Sequence, residues 1–311
     1  MANEIDLKSK FLGAMVGSAL GDVIGELAFR GFGEAALRSE IARAGVLSYT
    51  DDTAMAIGLA QSITQVGRLD GQHLGDTFRA NFRREPWRGY ASGPPRVFSL
   101  VEGHGISYSE AARSLFGGQG SFGNGAAMRI APVGLFYCDA PDLYDKARTS
   151  AAVTHAHPVG VDGAAVLAWA VAQAVKLDPR EPFPFERFSG GLVDFARTTE
   201  IRDKMLLVKT LVTEGLPPRE AVGRLGRSVA VHESMPFAVY SFLRHAGSFE
   251  ACLFCAVLNG GDRDTLGAMA CAVSGAYLGL EAIPPAWREK LENRQQVEAL
   301  ALRLAEMRSD R

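Results

Sequence analysis

The chain has 311 residues, of which 47% are hydrophobic and 22% are charged, with 33 Lys and Arg against 35 Asp and Glu. This composition is typical of a globular protein that buries a sizeable core. The formal net charge of −2 excludes the basic excess of a nucleic-acid-binding protein, and the charged N-terminal segment with short apolar runs predicts neither a secretion signal nor a membrane partner.

Helical periodicity predicts an all-α protein along the whole chain. The first segment, "LKSKFLGAMVGSALGDVIGELAF", has apolar residues three and four positions apart. Period-two alternation is scarce and no low-complexity linker divides the chain, so we predict a single domain over residues 1–311 with a core from about 11 to 290. Small residues that recur in two segments predict closely packed central helices: Gly13, Gly17, Ala19, Gly21, Ala268, Ala270, Ala272 and Gly275.

The stretch "YTDDT" precedes a second helical segment, "AMAIGLAQSI". Thr50 or Asp51 is a natural N-cap, and acidic side chains are favourable at the positive end of a helix dipole. A capped helix is therefore a sufficient explanation of this motif when it is considered alone.

A glycine-rich loop, "FGGQGSFGNGAAMR", precedes a segment that we predict to be helical. Backbone N–H groups exposed by glycine at a helix N-terminus suit a phosphate or diphosphate. The loop is neither a GxGxxG after a strand nor a GK[ST] P-loop, which excludes the standard dinucleotide and nucleotide motifs. Phe116 and Phe122 flank it, and from the residues alone core packing explains them more simply than stacking on a base.

His155 and His157 lie in "THAHP", at the end of another predicted helix. One intervening residue in a helix turns the two side chains apart, which favours a ligand contact or a buried, hydrogen-bonded imidazole over a zinc site. Cys252 and Cys255 form a CxxC in the apolar stretch "FEACLFCAVL", and we interpret them as small core residues. Four cysteines do not make a disulfide framework, so a reducing, cytoplasmic location is expected.

A second acidic motif, "GGDRDT", repeats the pattern of the first. If the two helix N-termini face each other, four carboxylates and two or three threonine hydroxyls converge, and such a cluster has to protonate or bind cations. Hard oxygen donors select Mg²⁺ or Mn²⁺ over zinc, and four carboxylates are enough for a binuclear site.

Five ordered motifs, "GSALGDVIG", "YTDDTAMA", "GSFGNGAAMR", "THAHP" and "NGGDRDTLGAMACAVSGAYLG", resemble the ADP-ribosylglycohydrolase family from about Phe11 to Trp287. The stretches "REPWRGYASG" and "ESMPFAVYSFLRH" are similar to its branch that removes ADP-ribose from serine. The resemblance implies an orthogonal all-α bundle with two divalent cations, Mg²⁺ or Mn²⁺, in a central cleft. The substrate it implies is an ADP-ribosylated protein or a small-molecule ADP-ribose conjugate, and we expect a monomer without nucleic-acid or membrane partners.

The resemblance also implies roles for the residues that match the family's motifs. Asp51 and Asp52 are the implied catalytic acids. The implied metal ligands are Thr50, Asp51, Asp52, Asp262, Asp264 and Thr265. The implied substrate-binding residues are Phe116, Gly120, Ser121, Phe122, Gly123, Asn124 and His155. In this interpretation Ser121 to Asn124 wrap the diphosphate, His155 lies near the adenosine, and the two phenylalanines flank the adenine.

The chain departs from the family at one position. The family has a glutamate there, on a mobile segment, whereas this sequence has Phe29. Glu26, one helical turn earlier, or Glu34, in the next loop, are the alternatives.

For the acceptor, serine-linked ADP-ribose, O-acetyl-ADP-ribose and ADP-ribose polymers are the first hypotheses, and arginine-linked ADP-ribose is the second. A non-catalytic ADP-ribose-binding or crystallin-like structural protein is the alternative from another class. A metal phosphohydrolase would instead cut the diphosphate and release AMP.

Overall fold

The computed structural model describes residues 6–31 and 33–309 and shows an all-α protein, as predicted. Within these ranges two 3₁₀ turns, Asn124–Ala126 and Leu280–Ala282, accompany seventeen α-helices. In chain order, α1 to α17 are Leu7–Ala28, Glu34–Arg43, Asp51–Val66, Gly71–Arg84, Gly93–His104, Tyr108–Gly118, Ala131–Phe136, Leu143–Ala152, Pro158–Ala174, Phe185–Phe195, Thr199–Thr213, Pro218–Leu225, Val231–Arg244, Phe249–Leu258, Arg263–Leu278, Pro285–Arg288 and Arg294–Ser309.

The antiparallel pair α1 and α15 forms the centre of the fold and makes the most extensive contact between any two described helices. Glycines of α1 lie directly against the backbone of α15. A methyl group on Gly21 would overlap the carbonyl oxygen of Gly267, and one on Gly17 would lie 2.8 Å from the carbonyl oxygen of Cys271. Backbones can approach this closely only where no Cβ intervenes. The predicted close packing of small-residue helices is therefore confirmed.

By length and composition α1 is apolar enough to cross a membrane, but 83% of its most apolar 18-residue window is buried within the described fold. Helices α14, α15 and α17 pack around it, so α1 is the central helix of the core. Cys252 and Cys255 are also buried, and neither forms a disulfide, which confirms that they are core residues.

The segment after the glycine-rich loop is less helical than predicted. It forms the 3₁₀ turn at Asn124–Ala126, and α7 begins only at Ala131. Pro132 lies in the first turn of α7, where its missing N–H and fixed φ favour the start of a helix. The buried Arg129 donates a hydrogen bond from Nη1 to the carbonyl of Gly125 at 3.0 Å, which also draws this segment out of a regular helix.

The two histidines of "THAHP" do not lie inside a helix, so that expectation is wrong. Helix α8 ends at Ala152, and α9 begins at Pro158. Pro158 accounts for the extended backbone of His157, because a proline disfavours the helical conformation in the residue before it. His157 caps α9 by accepting a hydrogen bond from the N–H of Val159 at Nδ1, 3.2 Å away. The side chains still diverge, because His155 faces the cavity described below.

Candidate active site

The first acidic motif lies at the N-terminus of α3, with Thr50 as the N-cap. It is anchored by Asp22 of α1, which is fully buried. The Asp22 carboxylate accepts hydrogen bonds from the hydroxyls of Thr50 at 2.8 Å and Thr53 at 2.6 Å, and from both backbone N–H groups at 3.1 Å. The sequence pattern did not single out Asp22, although a lone carboxylate among the apolar residues of "GSALGDVIG" was a usable signal.

The second acidic motif lies at the N-terminus of α15, where Asp262 is the N-cap and Asp264 lies in the first turn. Oδ1 of Asp264 accepts the backbone N–H of Thr265 at 2.8 Å. Oδ2 of Asp262 accepts a hydrogen bond from the side-chain amide of Asn124 at 2.6 Å, and the same amide donates to the hydroxyl of Ser234 at 3.1 Å. The glycine-rich loop is thus joined directly to the acidic motif.

One cavity of about 350 Å³, the glycine-loop cavity, lies between the two acidic motifs and the glycine-rich loop. Its lining includes ten of the predicted site residues: Asp51, Asp52, Phe116, Ser121, Gly123, Asn124, His155, Asp262, Asp264 and Thr265. The two motifs are therefore brought together although they are far apart along the chain. Thr50 lines a neighbouring cavity, which shares Asp51 and Asp264 with the first.

Burial gives this acidic cluster an unusual affinity for protons. Desolvation and the nearby Asp22 raise the pKa of Asp51 to about 7, and desolvation with Asp262 raises the pKa of Asp264 to about 8. Desolvation, with Asp264 as the largest charge effect, also raises the pKa of Asp52 well above its usual range. No described Lys, Arg or His forms an ion pair with these carboxylates. Arg129 is the buried cation that acts on Asp51 from a distance, lowering its pKa, but it does not offset the effect of burial.

The donor set fits hard divalent cations, because it consists of carboxylates and threonine hydroxyls. Oδ1 of Asp52 is buried and has no hydrogen-bond partner, which is the feature expected of an atom that binds an ion. Across residues 6–31 and 33–309, however, no three His, Cys, Asp or Glu side chains stand in a preformed metal-binding arrangement. Binding an ion here would therefore require these carboxylates to reorient, with hydroxyl and water oxygens completing the coordination.

The opposite wall of the cavity is formed by the glycine-rich loop, whose backbone runs through the left-handed region. Phe116 has φ of +52°, which is uncommon for a residue with a Cβ, and Gly120 has φ of +74°. Phe116 is 63% exposed and lines the cavity, while Phe122 is 45% exposed and packs edge-on against His157. The core-packing interpretation of both phenylalanines is therefore wrong, and Gly120 lies behind the wall against the backbone of His157.

Asn124 is less available to a ligand than expected. Its backbone N–H donates to the carbonyl of Val229 at 2.9 Å, and its side-chain amide is engaged by Asp262 and Ser234. Asn124 therefore has no free donor for a diphosphate in this structure, and its contacts are those of a residue that positions Asp262.

His155 closes the cavity as a neutral imidazole held by a buried hydrogen-bond chain. Arg129 donates from Nη2 to the hydroxyl of Thr154 at 2.9 Å, and that hydroxyl lies 2.8 Å from Nδ1 of His155. Burial and the Arg129 charge lower the pKa of His155 to about 3. The imidazole is therefore fixed at Nδ1 by a hydroxyl that itself accepts a hydrogen bond from Arg129. The sequence pattern did not indicate Arg129, a fully buried side chain.

The structure distinguishes the two alternatives to the expected mobile glutamate. Glu26 lines the neighbouring cavity together with Thr50, Asp51 and Asp264. Glu34 instead pairs with Arg38 at 2.9 Å on the far side of the α1–α2 connection. Glu26 is therefore the acidic residue that stands next to the cluster.

Carboxylates gathered at one cavity are the groups that glycosidases use for acid–base chemistry, and the chain is a glycosyl hydrolase by its similarity to known proteins. A family model described as ADP-ribosylglycohydrolase matches residues 3–311. The chain belongs to the ADP-ribosylglycohydrolase family, and the prediction made from the five motifs is confirmed.

Relatives named ADP-ribosylhydrolase ARH3 are similar over nearly the full chain. The Homo sapiens protein is 31% identical over 334 residues, covering 94% of this chain and 92% of its own. The Xenopus tropicalis protein is 33% identical over 330 residues, covering 93% of each. A solved structure titled "ADP-ribosylglycohydrolase-related protein complex" has a TM-score of 0.72 at 27% identity, covering 97% of this chain and 99% of that chain. These similarities support ADP-ribosyl hydrolase activity in a metal-dependent family.

Proposed function

We propose that this enzyme hydrolyses the bond between the distal ribose of ADP-ribose and its acceptor, with serine-linked ADP-ribose, O-acetyl-ADP-ribose or ADP-ribose polymer as substrate. The observation that supports this proposal is the glycine-loop cavity, which joins the acid cluster to a loop suited to a diphosphate. The resemblance of "REPWRGYASG" to the serine branch supports the preferred linkage.

Two divalent cations, Mg²⁺ or Mn²⁺, would be held by Thr50, Asp51, Asp52, Asp262, Asp264 and Thr265. When bound, they supply Lewis-acid orientation of the ribose hydroxyls and of a water molecule. The orphaned Oδ1 of Asp52 supports this assignment.

The distal ribose would lie at the acid cluster, with the diphosphate along the glycine-rich loop. The backbone N–H groups of Ser121 and Phe122 form no hydrogen bond within the described part of the chain, which leaves them available to phosphate oxygens. His155 would form a hydrogen bond with the adenosine end, and the exposed ring of Phe116 would stack on the base.

Asp51 is the residue best placed to move a proton. It lines both the glycine-loop cavity and the cavity beside Glu26, so it faces the ribose and the acceptor at once. Burial and the nearby Asp22 raise its pKa to about 7 in the metal-free protein, and a bound cation would favour the ionised carboxylate that accepts a proton. Asp51 would accept the proton of the attacking water and deliver one to the departing acceptor oxygen.

The test is to replace Asp52 with Asn and, separately, Asp264 with Asn, and to measure ADP-ribose release in Mg²⁺. Each variant should lose at least about a hundredfold in kcat, because each removes a charged oxygen ligand at the reacting centre. Asp203→Asn is the matched control, since Asp203 is an exposed acid on α11, away from both cavities.

Serine- and arginine-linked peptides, assayed by mass spectrometry with and without chelator, identify the linkage and the product. Intact ADP-ribose released in a chelator-sensitive reaction supports the proposal. AMP as the product would contradict it, as would near-normal turnover in both cluster variants. Cleavage of the arginine-linked peptide alone would replace the serine linkage with the second hypothesis.

A further inference from the structure

A second cavity, of about 510 Å³, lies on the other side of the acid cluster. We call it the Trp87 cavity, and it is lined by Glu26, Ser48, Tyr49, Thr50, Asp51, Trp87, Arg88, Gly89, Asp264 and Glu292. It shares Asp51, Gly89 and Asp264 with the glycine-loop cavity. The two cavities therefore meet at the carboxylates.

We infer that the Trp87 cavity binds the acceptor polypeptide, with Trp87 as its docking residue and with a preference for acceptors that carry basic side chains. The inference rests on the proposed function, in which the ribose stands at the acid cluster. Because the glycine-rich loop, Phe116 and His155 all belong to the glycine-loop cavity, ADP-ribose occupies that side. The group on the other side of the scissile bond then has to enter the Trp87 cavity.

Trp87 has the form of a docking residue because it is exposed on a rigid support. Its side chain is 70% exposed, although tryptophan usually buries most of its ring. The adjacent Arg88 is buried and binds both carboxylate oxygens of Glu292, at 2.7 and 3.0 Å. Arg88 also binds Glu85 at 2.8 Å and lies 4.0 Å from the centroid of the Tyr49 ring.

This rigidity matters for binding. A bidentate Arg–carboxylate pair fixes the geometry of the segment that carries Trp87. A partner that binds the indole therefore causes little further loss of conformational entropy in this segment. Exposed aromatic side chains on preorganised supports are the residues that contribute most to protein interfaces.

The charge of the cavity selects the acceptor. Arg88 is the single basic residue in the lining, and Glu85 and Glu292 already pair with it. Even with Asp51 and Asp264 engaged as metal ligands, Glu26 and Glu292 stand against Arg88 alone among the described lining residues, which leaves one net negative charge, on the unpaired Glu26. A lysine or arginine near the modified residue could lay its aliphatic stem on the indole and its charge beside these carboxylates. A second ADP-ribose unit of a polymer would instead bring an anionic diphosphate toward them.

The test compares three substrates: O-acetyl-ADP-ribose, a serine-ADP-ribosylated peptide with lysine neighbours, and the same peptide with glutamate neighbours. The wild type should cleave the lysine peptide about tenfold more efficiently than the glutamate peptide at low salt, and the difference should shrink at high salt. Trp87→Ala should lower kcat/KM for the lysine peptide about tenfold relative to O-acetyl-ADP-ribose, mainly through KM. Trp87→Phe, which keeps an aromatic surface, should recover most of that loss.

Leu206→Ala is the matched control, because Leu206 is an exposed apolar side chain on α11 outside both cavities. It should change none of the three rates. An equal loss on the peptide and on O-acetyl-ADP-ribose in Trp87→Ala would overturn the inference, as would no loss on either. If the wild type cleaved none of the three substrates, the serine and O-acetyl linkages of the proposed function would be refuted, and the inference would fall with them.

Discussion

The two acidic motifs, Thr50–Thr53 and Asp262–Thr265, are similar in sequence, but different hydrogen-bond partners hold them in the fold. The first is tied by four hydrogen bonds to Asp22, a buried carboxylate of the central helix α1. The second is held at Asp262, whose carboxylate accepts a hydrogen bond from the side-chain amide of Asn124 in the glycine-rich loop. The backbone N–H of Asp262 also donates to the carbonyl of Arg227 at 2.9 Å.

Both motifs nevertheless depend on α1. Asp22 fixes the N-terminus of α3, while the glycines of the same helix allow the N-terminal half of α15 to approach within backbone contact. The first motif is therefore anchored by a buried side chain of the central helix, whereas the second is anchored in part by the glycine-rich loop. Three substitutions and the addition of a cation test how each motif is held in place.

The largest effect is expected from Gly21→Ala, which should disturb both motifs. The new methyl group would overlap the Gly267 carbonyl, a backbone atom that cannot rotate away, so α1 and α15 have to separate. We expect a loss of at least about 4 kcal/mol in the free energy of unfolding, measured by urea denaturation. Gly103→Ala is the control, because nothing lies within 4 Å of its added Cβ. Equal stability of the two variants would show that the close packing is not required.

Asp22→Ala should damage the first motif. It leaves two backbone N–H groups and two hydroxyls without their acceptor in a buried place, and the expected cost is about 3 kcal/mol with loss of most activity. Asp22→Asn keeps the volume and one acceptor oxygen, so it should lose less stability. If Asp22→Ala were as active as the wild type, Asp22 would not be the anchor of the α3 N-terminus.

This contrast marks the limit of prediction from sequence. The meeting of the two motifs could be predicted, because each motif has the residues of a helix N-terminus. Clustered carboxylates also need a cation that they can share. Asp22, Arg129 and Trp87 could not be assigned in the same way. Their roles arise from contacts between residues far apart in the chain, as with Arg88 and Glu292, which are 204 residues apart. The end of α8 at Ala152 and the start of α7 at Ala131 were also missed, because the helical pattern of the sequence continues through residues that the fold holds in turns.

Cations should couple the two motifs and stabilise them together. Each Mg²⁺ or Mn²⁺ site, with the cation at a hundred times its Kd, should add about 2.7 kcal/mol to the free energy of unfolding, or about 4 °C in Tm. The raised pKa values of Asp51, about 7, and Asp264, about 8, lie above the 3.8 of an unperturbed aspartate. From about pH 4 to 8 the folded, metal-free protein therefore holds more protons than the unfolded chain, and its stability falls as pH rises.

Because protons and cations compete for the same oxygens, the rise in Tm should be larger at pH 8 than at pH 5.5. Differential scanning calorimetry with chelator or Mg²⁺ at both pH values measures this rise in Tm, and Na⁺ at equal ionic strength is the control. A shift of the same size in Asp52→Asn and Asp264→Asn would contradict binding at the cluster.

The smallest change in stability is expected from Asn124→Ala, which removes the loop's hold on the second motif. Asp262 then loses one charge-assisted hydrogen bond but keeps its place as the N-cap of α15, so the expected cost is about 1 kcal/mol. Activity should fall about tenfold at limiting Mg²⁺ and recover at high Mg²⁺, because an unrestrained Asp262 binds the cation less well. Ser234→Ala is the matched control, since it removes the other partner of the Asn124 amide and leaves the bond to Asp262. Loss of ADP-ribose binding without any change in the Mg²⁺ requirement would instead assign Asn124 to the substrate, as the family resemblance implied.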